Sequence, residues 1–268
     1  MQTPMTRVQS SDGTPIAFER SGNGPALILV DGALCYRASG PSRPLAALLS
    51  ERFTVYWYDR RGRGDSGDTK PYAVEREIED LDALIKEAGG SAFVYGISSG
   101  AALALEAANH GLGIRKLALY EPPCIVDETH APIPGDFLAR LNEAVAAGRR
   151  SDAVKMFLRL VDLPAIAMVI MPLLPAWPKL KAVAHTLPYD ITLVQDNQRG
   201  RPFQTGRWSS ATMPTLAMDG GKSPAWIRNG MRALAGVLPN ATFRTLEGQT
   251  HMLKADAAAP VLTEFFST

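Results

Sequence analysis

Hydrophobic and polar positions change period several times along this chain, and each change marks an element. Residues 6–10 and 16–20 alternate about Asp12-Gly13, a turn pair that accepts positive φ, and predict a hairpin. Residues 26–30 form a continuous apolar run ending at Asp31-Gly32, the pattern of a strand buried on both faces of a mainly parallel sheet. Residues 53–58, 92–95 and 116–120 repeat that pattern, separated by helical segments at 43–50, 72–88 and 101–109. In the second of these helices Val74, Ile78, Leu81, Leu84 and Ile85 make one stripe with carboxylates opposite, and Gly89-Gly90 stops it.

The alternation breaks between Pro122 and about Ala211. Residues 137–147 and 152–161 read as amphipathic helices, the second with Ser151 as its expected N-cap. Pro164, Pro172, Pro175 and Pro178 then divide an apolar stretch into short, kinked helices. Strand–helix rhythm returns with a strand at 215–218, a helix at 225–238, a strand at 242–246 and a closing helix at 257–266. The expected fold is α/β: a doubly wound, mainly parallel eight-stranded sheet with right-handed crossovers. Residues 1–121 and 212–268 would form the core domain and residues 122–211 an inserted helical cap.

Composition narrows the function. The chain has 268 residues, 28 Lys+Arg against 27 Asp+Glu and a net charge of +1, which lacks the footprint of a nucleic-acid binder. With 46% hydrophobic and 21% charged residues it has ample material for one globular domain with an insertion. Cys35 and Cys124 make no disulfide framework and have no metal-ligand spacing. Residues 1–15 are polar and contain no signal-peptide core, and the longest apolar stretch, 163–177, is too short to span a membrane. These features predict a cytoplasmic protein, monomer or homodimer, without nucleic-acid or membrane partner, metal or other cofactor, acting on a small molecule.

The chemistry concentrates in Gly96-Ile97-Ser98-Ser99-Gly100. A buried strand precedes it and a helix rich in small residues follows, the context of a G-x-S-x-G nucleophile elbow. The glycines permit the tight turn, Ser98 is lifted above the sheet, and the helix N-terminus favours negative charge beside it. Of four histidines, His110 ends a helix, His130 and His185 fall in the insertion, and His251 alone follows the last strand.

With these motifs the chain resembles the α/β-hydrolase superfamily along nearly its whole length. That resemblance implies Ser98 as nucleophile, His251 as general base and the charged loop 59–67 as a structural element. It also implies an oxyanion hole from the N–H of Ser99 and a second donor at Gly32 or Ala33. The acid is harder to place, because the alignment puts Ser223 where the family usually has an Asp. Glu121, after the sixth strand, is the preferred substitute and Asp219, at the end of the seventh, the alternative. The doubled serine, Glu121 ahead of the insertion and Asp31-Gly32 resemble zearalenone lactonase-like members. In the insertion and the oxyanion loop, Leu34, Met156, Phe157, Met171, Trp177 and Trp208 are candidate substrate contacts, with Met168, Leu173 and Leu174 beside them. They suit an apolar ester or lactone. A ligand-binding protein on the same scaffold, a C–C bond hydrolase and a perhydrolase are the alternative readings.

Overall fold

A computed structural model describes residues 6–268; the first five residues of the polar N-terminal stretch lie outside it. The hairpin forms from β1 (Thr6–Gln9) and β2 (Pro15–Ser21), antiparallel and paired Val8 to Ile16, and β2 pairs antiparallel with β4 (Thr54–Tyr58). The remaining strands, β3 (Ala26–Val30), β5 (Ala92–Ile97), β6 (Ile114–Tyr120), β7 (Thr215–Gly220) and β8 (Ala241–Leu246), run parallel. The sheet order is β1-β2-β4-β3-β5-β6-β7-β8. This is the expected doubly wound, mainly parallel eight-stranded sheet.

Both faces of the sheet are covered, and the period-two alternation of side chains decides which residue meets which layer. Leu27, Leu29, Val55, Trp57, Phe93 and Tyr95 face α1 (Ser42–Leu49) and α10 (Ala255–Ser267). Ile28, Val30, Tyr56, Tyr58 and Val94 face the other way, onto a core that includes α2 (Val74–Glu87), α3 (Ser99–Asn109) and α9 (Ala225–Val237). This double coverage is why the central strands read as continuous apolar runs.

Between β6 and β7 the regular elements among the described residues are helices: α4 (Phe137–Ala146), α5 (Arg150–Leu160), α6 (Ala165–Ile170), α7 (Trp177–Ala182) and α8 (Leu187–Val194), with short 3-10 turns between. The prolines break the segment as expected, with Pro164 at the N-cap of α6 and Pro178 in the first turn of α7. Ser151 is not a cap. The helix begins one residue earlier, at Arg150, so Ser151 lies inside its first turn and Arg149 holds the N-cap position without a capping side chain.

The insertion has its own apolar cluster, in which Phe137, Leu141, Val154, Leu158, Trp177 and Leu187 are buried. Leu34, from the loop after β3, is buried among them. One side of the segment is left bare: Ile166, Val169, Ile170, Leu173 and Leu174 are exposed, at helical spacing.

Candidate active site

The carboxyl ends of the parallel strands carry the site. β5 ends at Ile97, which pairs with Tyr120 at the end of β6, so the next residues, Ser98 and Glu121, leave neighbouring strands at the same level. The Ser98 N–H donates to the Tyr120 carbonyl at 2.8 Å across that edge.

Ser98 has φ 56° and ψ −131°, a strained conformation for a residue with a Cβ. The flanking glycines explain how the chain accepts it. A Cβ on Gly96 would stand 2.6 Å from the Ala101 Cα, and one on Gly100 would stand 2.2 Å from the Val30 carbonyl oxygen. Helix α3 therefore starts almost in contact with β3 and β5, and its first residue, Ser99, follows Ser98 directly. Across the cleft, a Cβ on Gly32 would lie 2.9 Å from the Ser98 Cβ and 3.4 Å from its Oγ. That close approach is open only to glycine.

Glu121 is fully buried and also has positive φ, 47°. Its Oε1 accepts from the Gly220 N–H at 2.7 Å, and its Oε2 faces His251 Nδ1 at 2.7 Å. His251 lies between β8 and α10 with a partly exposed ring; its Nδ1 meets the carboxylate, which leaves Nε2 as the free nitrogen. Asp219, the alternative acid, is not placed at His251. Met218 faces the α1/α10 layer, so Ala217 and Asp219 turn to the other face, where Asp219 Oδ2 accepts from Arg228 Nε at 3.4 Å. The structure thus brings Glu121 and His251 together and sets Ser98 beside Glu121. Ser98 and His251 share no hydrogen bond in this structure.

The N–H groups of Ser99 and Ala33, two of the candidate oxyanion donors, have no hydrogen-bond partner among the described residues. Leu34, at φ 62°, turns the loop after Ala33 into the apolar cluster of the insertion. Met156, Phe157, Met168 and Met171 are half-buried against that cluster, and Trp177 is buried in it. Trp208 belongs elsewhere. Its indole N–H needs an acceptor and finds Glu106 Oε1 at 3.0 Å, seven residues into α3 and about 10 Å along its axis from the elbow, while Phe203 packs edge-on at 5.0 Å. Leu173 and Leu174 also depart from the expected lining, because the turn after α6 presents them to solvent.

The charges of loop 59–67 are structural, as expected. Arg60, Arg61 and Arg63 are buried, and each meets a carboxylate: Glu77 and Asp190 for Arg60, Asp80 and Asp12 for Arg61, Asp190 for Arg63. Burial pushes the thiols of Cys35 and Cys124 up to about 12, so both remain neutral. Asp31, which precedes Gly32, is buried with its Oδ1 accepting from Ser42 Oγ at 2.6 Å; burial pushes its carboxyl up to about 6. Asp190 is the residue of this site that the pattern analysis missed. A single carboxylate among Leu187, Pro188, Tyr189, Ile191, Leu193 and Val194 was the signal that could have found it.

The model of the Alpha/beta hydrolase family matches residues 22–261. The chain belongs to that family. Among solved structures, this α/β-hydrolase is similar to an alpha/beta hydrolase from Sphaerobacter thermophilus, 56% identical over 97% of this chain and 100% of that one, with TM-score 0.90. It shares its fold with the enol-lactonase from Burkholderia xenovorans, 21% identical over 98% and 100% of the two chains at TM-score 0.73. A curated relative, the probable oxidoreductase EphD of Mycobacterium tuberculosis, is 38% identical over 85 residues, which span 30% of this chain and only 14% of that protein. No helix among the described residues is long and apolar enough to cross a membrane.

Proposed function

We propose that this α/β-hydrolase is a serine hydrolase that cleaves an ester or lactone of a predominantly apolar small molecule through an acyl-enzyme. The observation that carries the reading is the buried Glu121 carboxylate on His251 Nδ1, at the strand edge where Ser98 stands strained beside it. In this reading Glu121 fixes the ring so that Nε2 is the basic nitrogen, and the Ser98–His251 hydrogen bond closes as substrate binds.

The Ser98 hydroxyl attacks the acyl carbon and His251 Nε2 takes its proton. The carbonyl oxygen becomes an oxyanion between the N–H of Ser99 and that of Ala33 or Gly32. When the tetrahedral intermediate collapses, the C–O bond to the leaving group breaks and the alkoxide takes the proton from His251. Water then repeats the sequence: His251 removes its proton, hydroxide adds to the acyl carbon, and Ser98 leaves with the proton returned.

One observation supports an apolar substrate. The adaptable side chains of Met156, Phe157 and Met171 lie half-buried against the cluster that Leu34 joins, next to the oxyanion loop. The inserted helices over the site act, in this reading, as its cap. The lactone option rests on the doubled serine, the Glu ahead of the insertion and Asp31-Gly32, all in the pattern of zearalenone lactonase-like members.

The test is turnover of p-nitrophenyl esters and of aryl lactones by wild type and Ser98→Ala. Turnover by the wild type that Ser98→Ala loses is the expected result. Equal rates in the two would overturn the enzyme reading in favour of a ligand-binding protein on the same scaffold.

A further inference from the structure

A buried ion cluster joins the helical insertion to both sides of the oxyanion site. Asp190, on α8, accepts at Oδ1 from Arg60 Nη1 (2.8 Å), from Arg63 Nη2 (2.9 Å) and from the Ser99 hydroxyl (2.7 Å). Its Oδ2 accepts from Arg63 Nη2 at 2.7 Å. Glu77 holds the far side of Arg60 with two bonds, from Nε and Nη2, at 2.7 and 2.8 Å. Two guanidiniums thus face two carboxylates, all inaccessible to water. Burial alone would raise the Asp190 carboxyl, but Arg63, Arg60 and the Ser99 hydroxyl outweigh it and hold the group below the ordinary carboxylate value.

Stability alone is a weak reason for such a cluster, because apolar groups of the same size do as well or better in a core. Its connections say more. Ser99 is the first residue of α3, and its N–H is the donor beside the nucleophile. On the other side, Arg63 Nη1 donates to the Gly32 carbonyl at 2.6 Å. In a trans peptide the carbonyl and the following N–H point in opposite directions, so fixing the Gly32 oxygen aims the Ala33 N–H the other way. Gly32 lies against Ser98, and neither the Ser99 N–H nor the Ala33 N–H has a hydrogen-bond partner among the described residues.

We propose that Asp190 and the hydroxyl of Ser99 are positioning residues for the oxyanion hole. One carboxylate on the insertion sets both donors, Ser99 N–H through its own side chain and Ala33 N–H through Arg63 and the Gly32 carbonyl. The proposal rests on the serine-hydrolase reading above and adds a role to three residues, Asp190, Arg63 and the Ser99 side chain. It also makes the seating of α8 a condition for catalysis.

The test compares wild type, Ser98→Ala, Ser99→Ala and Asp190→Asn in ester turnover and in inhibition by phenylboronic acid. The boronate accepts an oxygen lone pair from Ser98 as the hydroxyl proton passes to His251, giving a tetrahedral adduct whose boron-bound oxygen occupies the hole. Deleting a donor outright costs about 10²–10³ in kcat, so misaiming one predicts about a tenfold loss for Ser99→Ala and about a hundredfold loss for Asp190→Asn. KM should stay within about twofold, and the boronate should weaken in step with kcat. Ser99→Ala keeps the backbone N–H and all the ion pairs, so it carries the test if Asp190→Asn fails to fold.

If wild type turns over in a Ser98-dependent way while folded Ser99→Ala keeps kcat and boronate affinity, the positioning proposal alone is overturned. The same holds if kcat falls with boronate affinity unchanged. If Ser98→Ala matches wild type in turnover, the hydrolase reading fails first and takes this one with it.

Discussion

At the scale of single residues, Glu121 has both carboxylate oxygens committed, one to the Gly220 N–H and one to His251. A Gln side chain in its place must present an amide N–H either to another donor or to the ring, and the tautomer that frees Nε2 as a base is lost. Glu121→Gln is therefore expected to lower kcat by about 10⁴, while Asp219→Asn, whose carboxylate meets Arg228 instead, should change it far less. Steady-state kinetics on the two variants decides the ranking, and the reverse order would refute the assignment. Asp31 makes a second prediction. Its folded-state carboxyl is raised to about 6 from 3.8, so the native state holds the proton more tightly than the unfolded chain. Its contribution favours folding below about pH 4, shrinks as pH rises through that window, and is gone above about 6. Thermal melts of Asp31→Asn against wild type should thus show the variant gaining between pH 4 and 6; a constant difference would contradict the raised carboxyl. Ser98, Glu121 and His251 were legible one by one as candidates because each follows a readable strand. The contest between Glu121 and Asp219 was not, because it turns on which face of β7 a side chain occupies.

At the scale of elements, the strands were the easiest to read. Residues such as Ile28 and Leu29 pack opposite layers, so neither face tolerates a polar residue and the run announces itself. Helix starts were less legible: α3 begins two residues before its apolar period suggests, at the elbow, and Ser151 fell inside α5 where a cap was expected. Trp208 was misplaced for a different reason, since composition cannot reveal that Glu106 waits for its indole N–H. The junction of α3 with β3 depends on Gly100, where an added methyl would meet backbone that cannot rotate away. Gly100→Ala is expected to cost about 1–3 kcal/mol or more in urea unfolding and to reduce turnover through the displaced elbow. Gly236→Ala, in the last turn of α9 where an added methyl meets nothing within 4 Å, should be neutral or slightly stabilising in the same assay.

At the scale of the whole molecule, long-range ion pairs do much of the joining. Arg61 links Asp12 of the hairpin turn to Asp80 of α2, and the Arg60–Arg63 pair links the loop after β4 to α8. Linear sequence could expose these arginines as a cluster but not their partners, which lie up to 130 residues away. By contrast, the solvent-facing aliphatic stripe of α6 and the turn after it holds nothing together. Val169→Ser with Leu173→Ser should leave stability within about 0.5 kcal/mol, whereas Leu158→Ala, in the buried cluster below, should cost about 2–5 kcal/mol. The pairing of Ile97 with Tyr120 has a wider consequence. Hydroxyl and carboxylate depart from adjoining strands before the insertion begins, so the span between them never passes through it. Changes in the inserted segment that keep α8 seated would therefore leave that separation undisturbed, so the ligand could vary while hydroxyl and carboxylate keep their spacing.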